Sequence, residues 1–467
     1  MCIWPGGRSR LSSRVTRADP SARATRQVYG ALAVGFVLFA VYGSLVPFRL
    51  RPFPIALAWA QFETAMRALP SRRISRSDVL ANVLLFVPIG FTLMGAVLDR
   101  RFPLRSLLGA ASSVMLFAFS LSLAVEFLQT FALRRVPSNL DVAAQAFGAL
   151  AGIVAWVLAG PRLSVWLWET WSSVGRHRLL RVLSAYAAAW IFVSLAPFDI
   201  TVDMGELGAR VRAGKIAIAP FAAPIGVPVA RQAWDVFAEM VSAVPLGVLM
   251  FSAIARYRGA IAAFAAGAAL VIGVEFAQIF LLSHSANTTD ALAGCLGVAA
   301  GVWVATRVSP VVFGPARVGQ VAWWASAGLC VWCFVLVAYH WMPYDFVVDP
   351  RAIRTELAQM SFIPFAAYTR SAYLNGLNDV LVKIALSMPL GLGAAWASRA
   401  QPSTATLIGW MLFAVVVFGT IEAGQLFLPT RVADPTDVLV GVGGTYAGLL
   451  LGRWVRAGLE SGLSTTE

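Results

Sequence analysis

The sequence predicts an all-α polytopic membrane protein of about 12 transmembrane helices, arranged as three parallel four-helix repeats. Three observations carry that prediction. Of the 467 residues, 59% are hydrophobic and 13% charged, against roughly a quarter charged in a soluble domain. Apolar stretches of about 20 residues, long enough to cross a bilayer as a helix, recur along the whole chain. The connectors between them follow one order three times: helix, long polar loop, helix, short basic turn, helix, short polar turn, helix.

A hydropathy scan with a window of about 19 residues places twelve spans, starting near residues 28, 78, 106, 140, 182, 234, 259, 289, 321, 379, 403 and 436. Before the first span, Arg8, Arg10, Arg14, Arg17, Arg23 and Arg26 make a basic segment, and no small-residue cleavage site follows the apolar run. Residues 1–27 therefore read as a cytoplasmic tail ahead of an uncleaved anchor. Repeat one is expected over 28–160, a cytoplasmic linker over 161–181, repeat two over 182–307, a second linker over 308–320, repeat three over 321–455 and a cytoplasmic tail over 456–467. Four spans per repeat is an even number, so successive repeats enter the membrane from the same side and both termini share one side. The basic tail and Arg100, Arg101, Arg105, Arg256, Arg258 and Arg399 in short turns make that side the cytoplasm, with Arg134, Arg135 and Arg431 as exceptions in the opposite turns. The expected location is a bacterial inner (plasma) membrane.

The repeats agree residue by residue. Span one of each ends on Pro47-Phe48, Pro197-Phe198 or Pro343-Tyr344. Span two opens with Asp78, Asp235 or Asp379 and carries a Pro-x-Gly ten residues later: Pro88 and Gly90, Pro245 and Gly247, Pro389 and Gly391. Span three ends in Glu-x-x-Gln-x-Phe: Glu126, Gln129, Phe131; Glu275, Gln278, Phe280; Glu422, Gln425, Phe427. Fifteen residues after each glutamate, Asp141, Asp290 or Asp437 opens span four, followed by Gly148 and Gly152, Gly297 and Gly301, or Gly444 and Gly448.

The formal net charge of +14 is almost all arginine, since Lys215 and Lys383 are the only lysines. These arginines lie in connectors between apolar helices, the pattern of membrane topology and lipid headgroups and not of a nucleic-acid surface. Cys330-Val-Trp-Cys333 has CxxC spacing but sits in an apolar run without a second ligand pair, so both cysteines are expected as small buried hydrophobes. With His177, His284 and His340 the only histidines, no metal site is expected, and no cofactor.

An ionisable group at membrane depth costs about 2.5 to 3.5 kcal/mol, which makes it a functional-site hypothesis. With the N-terminus inside, span two starts, span three ends and span four starts at the outer face, so the repeated carboxylates should collect there. Asp78 and Asn82 share a helix face, as do Glu126 and Gln129. Asp141, Gln145, Gly148 and Gly152 form one stripe whose glycines allow close packing below a polar head. Structural explanations compete: aspartate at a helix start is an N-cap worth about 1 kcal/mol, and Gly-x-x-x-Gly is generic membrane packing. Glutamate within a helix has no capping use in sequence, and so points to function. Position 82 and its counterparts hold Asn82, Glu239 and Lys383. If the repeats pack around a common centre, Glu239 and Lys383 are expected to pair.

The pattern Asp78-x3-Asn82-Val-Leu-Leu-Phe-x-Pro88-x-Gly90, then Glu126-x2-Gln129-x-Phe131-x3-Arg135-x2-Ser138-x2-Asp141, resembles the VanZ-like domain. Repeat one matches best. Repeat three keeps Glu422, Gln425, Phe427, Arg431 and Asp437, while repeat two has His284 at the arginine position. The family's asparagine four residues after the last aspartate is replaced by Gln145, Gly294 and Gly441. The resemblance implies a link to low-level resistance to teicoplanin-type glycopeptides, which bind cell-wall precursors outside the membrane, and implies no defined enzymatic activity.

The leading expectation is a non-enzymatic protein of the cell envelope that binds a polar or lipid-linked ligand at the outer interface: a membrane lipid, or a cell-wall or polysaccharide precursor. The ligand-binding candidates are Asp78, Asn82, Glu126, Gln129, Arg135 and Asp141. Their counterparts are Asp235, Glu239, Glu275, Gln278 and Asp290 in repeat two, and Asp379, Lys383, Glu422, Gln425, Arg431 and Asp437 in repeat three. The second reading is a secondary transporter or lipid flippase, encouraged by the number of spans. The third is an intramembrane acid/base enzyme using a Glu and Asp pair, against which stands the absence of any zinc-type, Gly-x-Ser-x-Gly or phosphate-loop motif.

Overall fold

Among its described residues this polytopic, almost wholly α-helical protein has twelve helices long and apolar enough to cross a membrane. The computed structural model describes residues 20–464 apart from 47, 49–50, 69–75, 99–101, 134–135, 196–200, 202, 218, 222–228, 283, 313–317, 361, 366–372, 399–401 and 432. The chain forms two compact units, Met1–Glu169 with Ala372–Leu374, and Thr170–Ser371 with Asn375–Glu467.

In the first unit, α1 (Pro20–Leu45), α3 (Arg76–Val97), α4 (Leu104–Gln129) and α5 (Asn139–Ser172) supply the four spans of repeat one. The amphipathic α2 (Ile55–Arg67) occupies the loop between the first two. The glycine stripe of α5 fits against the Pro-x-Gly turn of α3 backbone to backbone. A Cβ on Gly148 would fall into the Val83 carbonyl, one on Gly152 into that of Val87, and one on Gly90 into that of Ala149. Only glycine permits this approach. Ala40, Phe86, Ile89, Ala118 and Ala149 form the core beside it. Tyr29 of α1 lies over Gly95 and exchanges a 3.1 Å hydrogen bond with Ser164 of α5.

The second unit begins with α6 (Gly175–Leu195), α7 (Met204–Arg212) and the two-residue β1 (Ile216–Ala217). The long α8 (Val229–Gln278) turns at Gly259, whose φ of 81° places it in the left-handed region that glycine tolerates. It therefore supplies two spans, Val229–Ala255 and Arg258–Gln278. β2 (Ala286–Asn287), which pairs in parallel with β1, leads into α9 (Thr288–Val312). α10 (Val318–His340), α11 (Pro350–Gln359), α12 (Tyr373–Ala397), α13 (Thr404–Gln425) and α14 (Pro435–Ser464) complete repeat three. The glycine interlock recurs in both repeats: Gly297 and Gly301 meet the Met240 and Val244 carbonyls, and Gly444 and Gly448 those of Ile384 and Met388.

A second tie also appears three times. The backbone N–H of Arg51, Thr201 and Val347, each three residues past the aromatic that closes span one, donates to the carbonyl of Phe131, Phe280 and Phe427, each at 2.8 Å. The aromatic of Glu-x-x-Gln-x-Phe thus marks where the first loop is stitched to the end of span three.

Three features differ from the sequence reading. Residues 161–172, read as linker, continue α5 through Pro161. The helix is extended there because Leu163, Trp166 and Trp168 maintain its apolar character, and only residues 173–174 separate it from α6. The long polar loops contain the helices α2, α7 and α11. Cys333 is half-buried beside Leu329 and Leu336, but Cys330, three residues earlier on the same helix, is exposed on its outer side.

Candidate functional site

The polar residues gather, in each repeat, where the second and fourth spans start and the third ends. The glutamate of span three performs the same task every time. One of its carboxylate oxygens accepts the backbone N–H twelve residues on: Glu126 from Ser138 at 3.0 Å, Glu275 from Asn287 at 3.4 Å and Glu422 from Asp434 at 2.8 Å. Each donor lies three residues before the aspartate that opens span four, so the glutamate clamps the turn between spans three and four. Glu126 is 1% exposed. The use that the sequence did not reveal is thus a long-range cap on the next helix.

The glutamine that follows turns toward span one. Gln278 Nε2 donates to the Ser194 carbonyl at 2.9 Å and Gln425 Nε2 to that of His340 at 3.4 Å, and Gln129 at the equivalent place is buried. These amides hold the end of span one, where the carbonyls of a helix C-terminus lack intrahelical partners.

Within this shared frame the repeats differ in charge. In repeat one, Asn82 Nδ2 donates to Asp141 Oδ1 at 2.9 Å, Gln145 Nε2 to Asn82 Oδ1 at 3.0 Å, and Ser122 Oγ to Gln145 Oε1 at 2.7 Å. With Asp141 Oδ1 as the acceptor, the orientation of the Asn82 amide, then that of Gln145, then that of the Ser122 hydroxyl is fixed in turn. The chain of donors runs from the dry interior, where Ser122 is 0% and Gln145 1% exposed, toward the carboxylate at the start of span four.

In repeat two, Glu239 extends its carboxylate beside Gly294; Glu239 and Glu275 lie within electrostatic reach of each other and of Asp290, and Asp290 within reach of Asp235. Asp235 is bridged by Arg231 one turn earlier at 3.1 Å. In repeat three, Lys383 Nζ lies 2.6 Å from Asp379 and 2.7 Å from Asp437. The expected pairing of Lys383 with Glu239 gives way to these two aspartates of its own repeat, which are nearer along the same helix and across the glycine interlock. Among the described residues, no group of three or more His, Cys, Asp or Glu is arranged to hold a metal ion.

Paired substitutions run with these differences. Four residues before the glutamate stand Ser122, Val271 and Phe418; four after the aspartate stand Gln145, Gly294 and Gly441. Ser122 bonds Gln145, whereas Val271 and Phe418 fill the space over the two glycines. Superposing the three repeats in sequence would have exposed this exchange of a hydrogen bond for a packing contact.

Arginines serve the end of span three in repeats one and two, and the end of span one in repeat three. Arg51 donates to the Thr130 carbonyl at 3.1 Å, and Arg210 to the carbonyls of Ile279 and, at 2.5 Å, His284. Arg431 donates through Nε to the Met342 carbonyl at 2.8 Å. A cation at these carbonyl-rich ends is favoured by the helix dipole. Arg135 and the side chain of Asp78 lie outside the described residues. Two threonines escaped sequence reasoning: Thr289 and Thr436, each just before the aspartate of span four, accept the N–H of Phe221 at 2.7 Å and Phe365 at 3.0 Å. The signal was the Pro-Phe-Ala-Ala shared by the long loops of repeats two and three, residues 220–223 and 364–367.

A sequence model of the VanZ/LLP1 family matches three tandem regions, residues 17–160, 183–309 and 327–456. No curated protein and no solved structure matches the chain. The three matched regions cover most of the chain and each encloses one copy of the glycine interlock and glutamate clamp, so the protein belongs to the VanZ/LLP1 family, as three tandem copies.

Proposed function

We propose that the chain is a cell-envelope protein that binds a polar or lipid-linked ligand, such as a cell-wall or polysaccharide precursor, at the outer face of a bacterial inner membrane. Repeat one is the binding unit. The observation that carries this reading is the directed chain from Ser122 through Gln145 and Asn82 to Asp141. It orients the Asp141 carboxylate at the membrane boundary through the Asn82 amide, as an acceptor for ligand hydroxyl or amine hydrogens. Arg135, at the sequence place of Arg431, supplies the complementary group for a phosphate or carboxylate, which a guanidinium binds as a fork. Repeat three, where Lys383 joins two aspartates, is a structural copy. Binding of a precursor outside the membrane would also account for a link to teicoplanin-type resistance.

The test is native mass spectrometry of protein purified from cell membranes, with teicoplanin susceptibility of the same cells. Glu126→Gln keeps an oxygen for the Ser138 N–H and removes only the charge, and Asp141→Asn does likewise toward Asn82. The wild type should retain a polar or lipid-linked adduct that both variants and Arg135→Lys lose, with membrane levels and thermal stability near wild type. An adduct profile unchanged in all three variants, or adduct and folded protein lost in step, would overturn the proposal.

A further inference from the structure

Each long loop between the first two spans contains a short helix with an apolar stripe. In α2 it is Ile55, Trp59, Phe62 and Met66; in α7 it is Met204, Leu207 and Val211; in α11 it is Ile353 and Leu357, continued by Met360. These spacings of three and four residues put each set on one helix face. The protein leaves much of that apolar surface uncovered: Ile55 is 74% exposed, Met204 80% and Leu357 49%. Loop helices facing water would expose polar groups at these positions.

The placement of the helices identifies what covers them. Before α2, the Arg51 backbone and side chain are tied to the end of span three through Phe131 and Thr130. After it, Asn139 at the start of span four donates to the carbonyls of Met66 and Ala68. α7 is tied in the same way by Arg210 to Ile279 and His284 at one end of the turn, and by the β1 to β2 pairing at the other. The segment holding α11 is tied by Val347 to Phe427 and by Phe365 to Thr436. A helix stitched across the ends of two spans cannot stand off the bilayer and lies along its boundary. The ion pair of Glu63 with Arg67 on α2, at 2.5 Å, and the exposed Glu206 and Arg351 supply charged edges suited to zwitterionic or anionic headgroups.

We propose that α2, α7 and α11 are interfacial helices whose apolar stripes dock into membrane lipid, at the face where the third span of their repeat ends. Each lies beside the polar cluster of its repeat and forms the rim over which a lipid-borne group would approach. This docking is independent of whether the cluster binds a ligand.

The experiment uses the full chain with Cys2, Cys295, Cys330 and Cys333 replaced. Single cysteines at Ile55, Met204 and Leu357, or at Glu63, Glu206 and Arg351, carry an environment-sensitive fluorophore after reconstitution into vesicles of phosphatidylethanolamine and phosphatidylglycerol. The first set should show blue-shifted emission, quenched several-fold more strongly by spin-labelled lipid than the second. Equal quenching and equal, water-like emission in the two sets would overturn the proposal. So would a blue shift in the first set that lipid does not quench and that fades on dilution of protein in the vesicles, since a second copy of the chain would then be the occupant.

Discussion

Replacing Gln145 by leucine tests the hydrogen-bond chain that distinguishes repeat one. Leucine has nearly the same volume, so the perturbation is chiefly the loss of the bonds from Ser122 and to Asn82, at 2.7 and 3.0 Å. Interhelical hydrogen bonds in membranes average about 0.6 kcal/mol and reach about 1.7, which gives about 1 to 3 kcal/mol for two. Ser122 can return its hydroxyl to a carbonyl of its own helix, but the Asn82 carbonyl is left without its donor, at about 1 kcal/mol more. Gln145→Leu should therefore destabilise by about 2 to 4 kcal/mol. Asn82→Leu breaks the same link from the other side, so the double variant should cost about 1 kcal/mol less than the sum of the singles. The assay is reversible unfolding by sodium dodecyl sulfate in mixed micelles, followed for all four members of the cycle. Additivity within about 0.3 kcal/mol, or a Gln145→Leu protein as stable as wild type, would refute the chain as an energetic unit.

Other outcomes follow from the same contacts. Gly148→Val should abolish folding of repeat one, because any Cβ there enters the Val83 carbonyl, whereas Gly35→Val, with nothing within 4 Å, should be tolerated; membrane levels of the two variants decide this. Lys383→Met removes the ammonium that bridges Asp379 and Asp437, the latter with a side chain 9% exposed. It should cost about 3 to 5 kcal/mol, much of it recovered by adding Asp437→Asn; thermal stability in detergent measures both.

What was legible in the sequence is what repeats at fixed offsets. The spans, the threefold Asp, Glu-x-x-Gln and Asp, and the glycine stripe are all local patterns, and the interlock of Gly148 and Gly152 with α3 follows from residue size alone. Contacts that link distant segments were not legible. The clamp of Glu126 on Ser138 depends on how the intervening turn folds back, and a backbone N–H leaves no mark in sequence. Of the partners of Lys383, Asp379 is local, four residues away on the same face, whereas Asp437 reaches it only through the packing of the second span on the fourth. The helices α2, α7 and α11 were hidden because each is shorter than a span and carries enough charge to read as loop.

The four-span repeat, with its polar cluster at one membrane face, is the claim on which the rest depends, and cysteine accessibility tests it most directly. Single cysteines at Val136, Ser285 and Thr430, between the third and fourth spans of the successive repeats, and at Leu104, Arg258 and Ser403, at the start of each third span, would be probed in intact cells with an impermeant thiol reagent. The account predicts labelling of the first three from outside and of the second three only after the membrane is opened. A split within either set would contradict it.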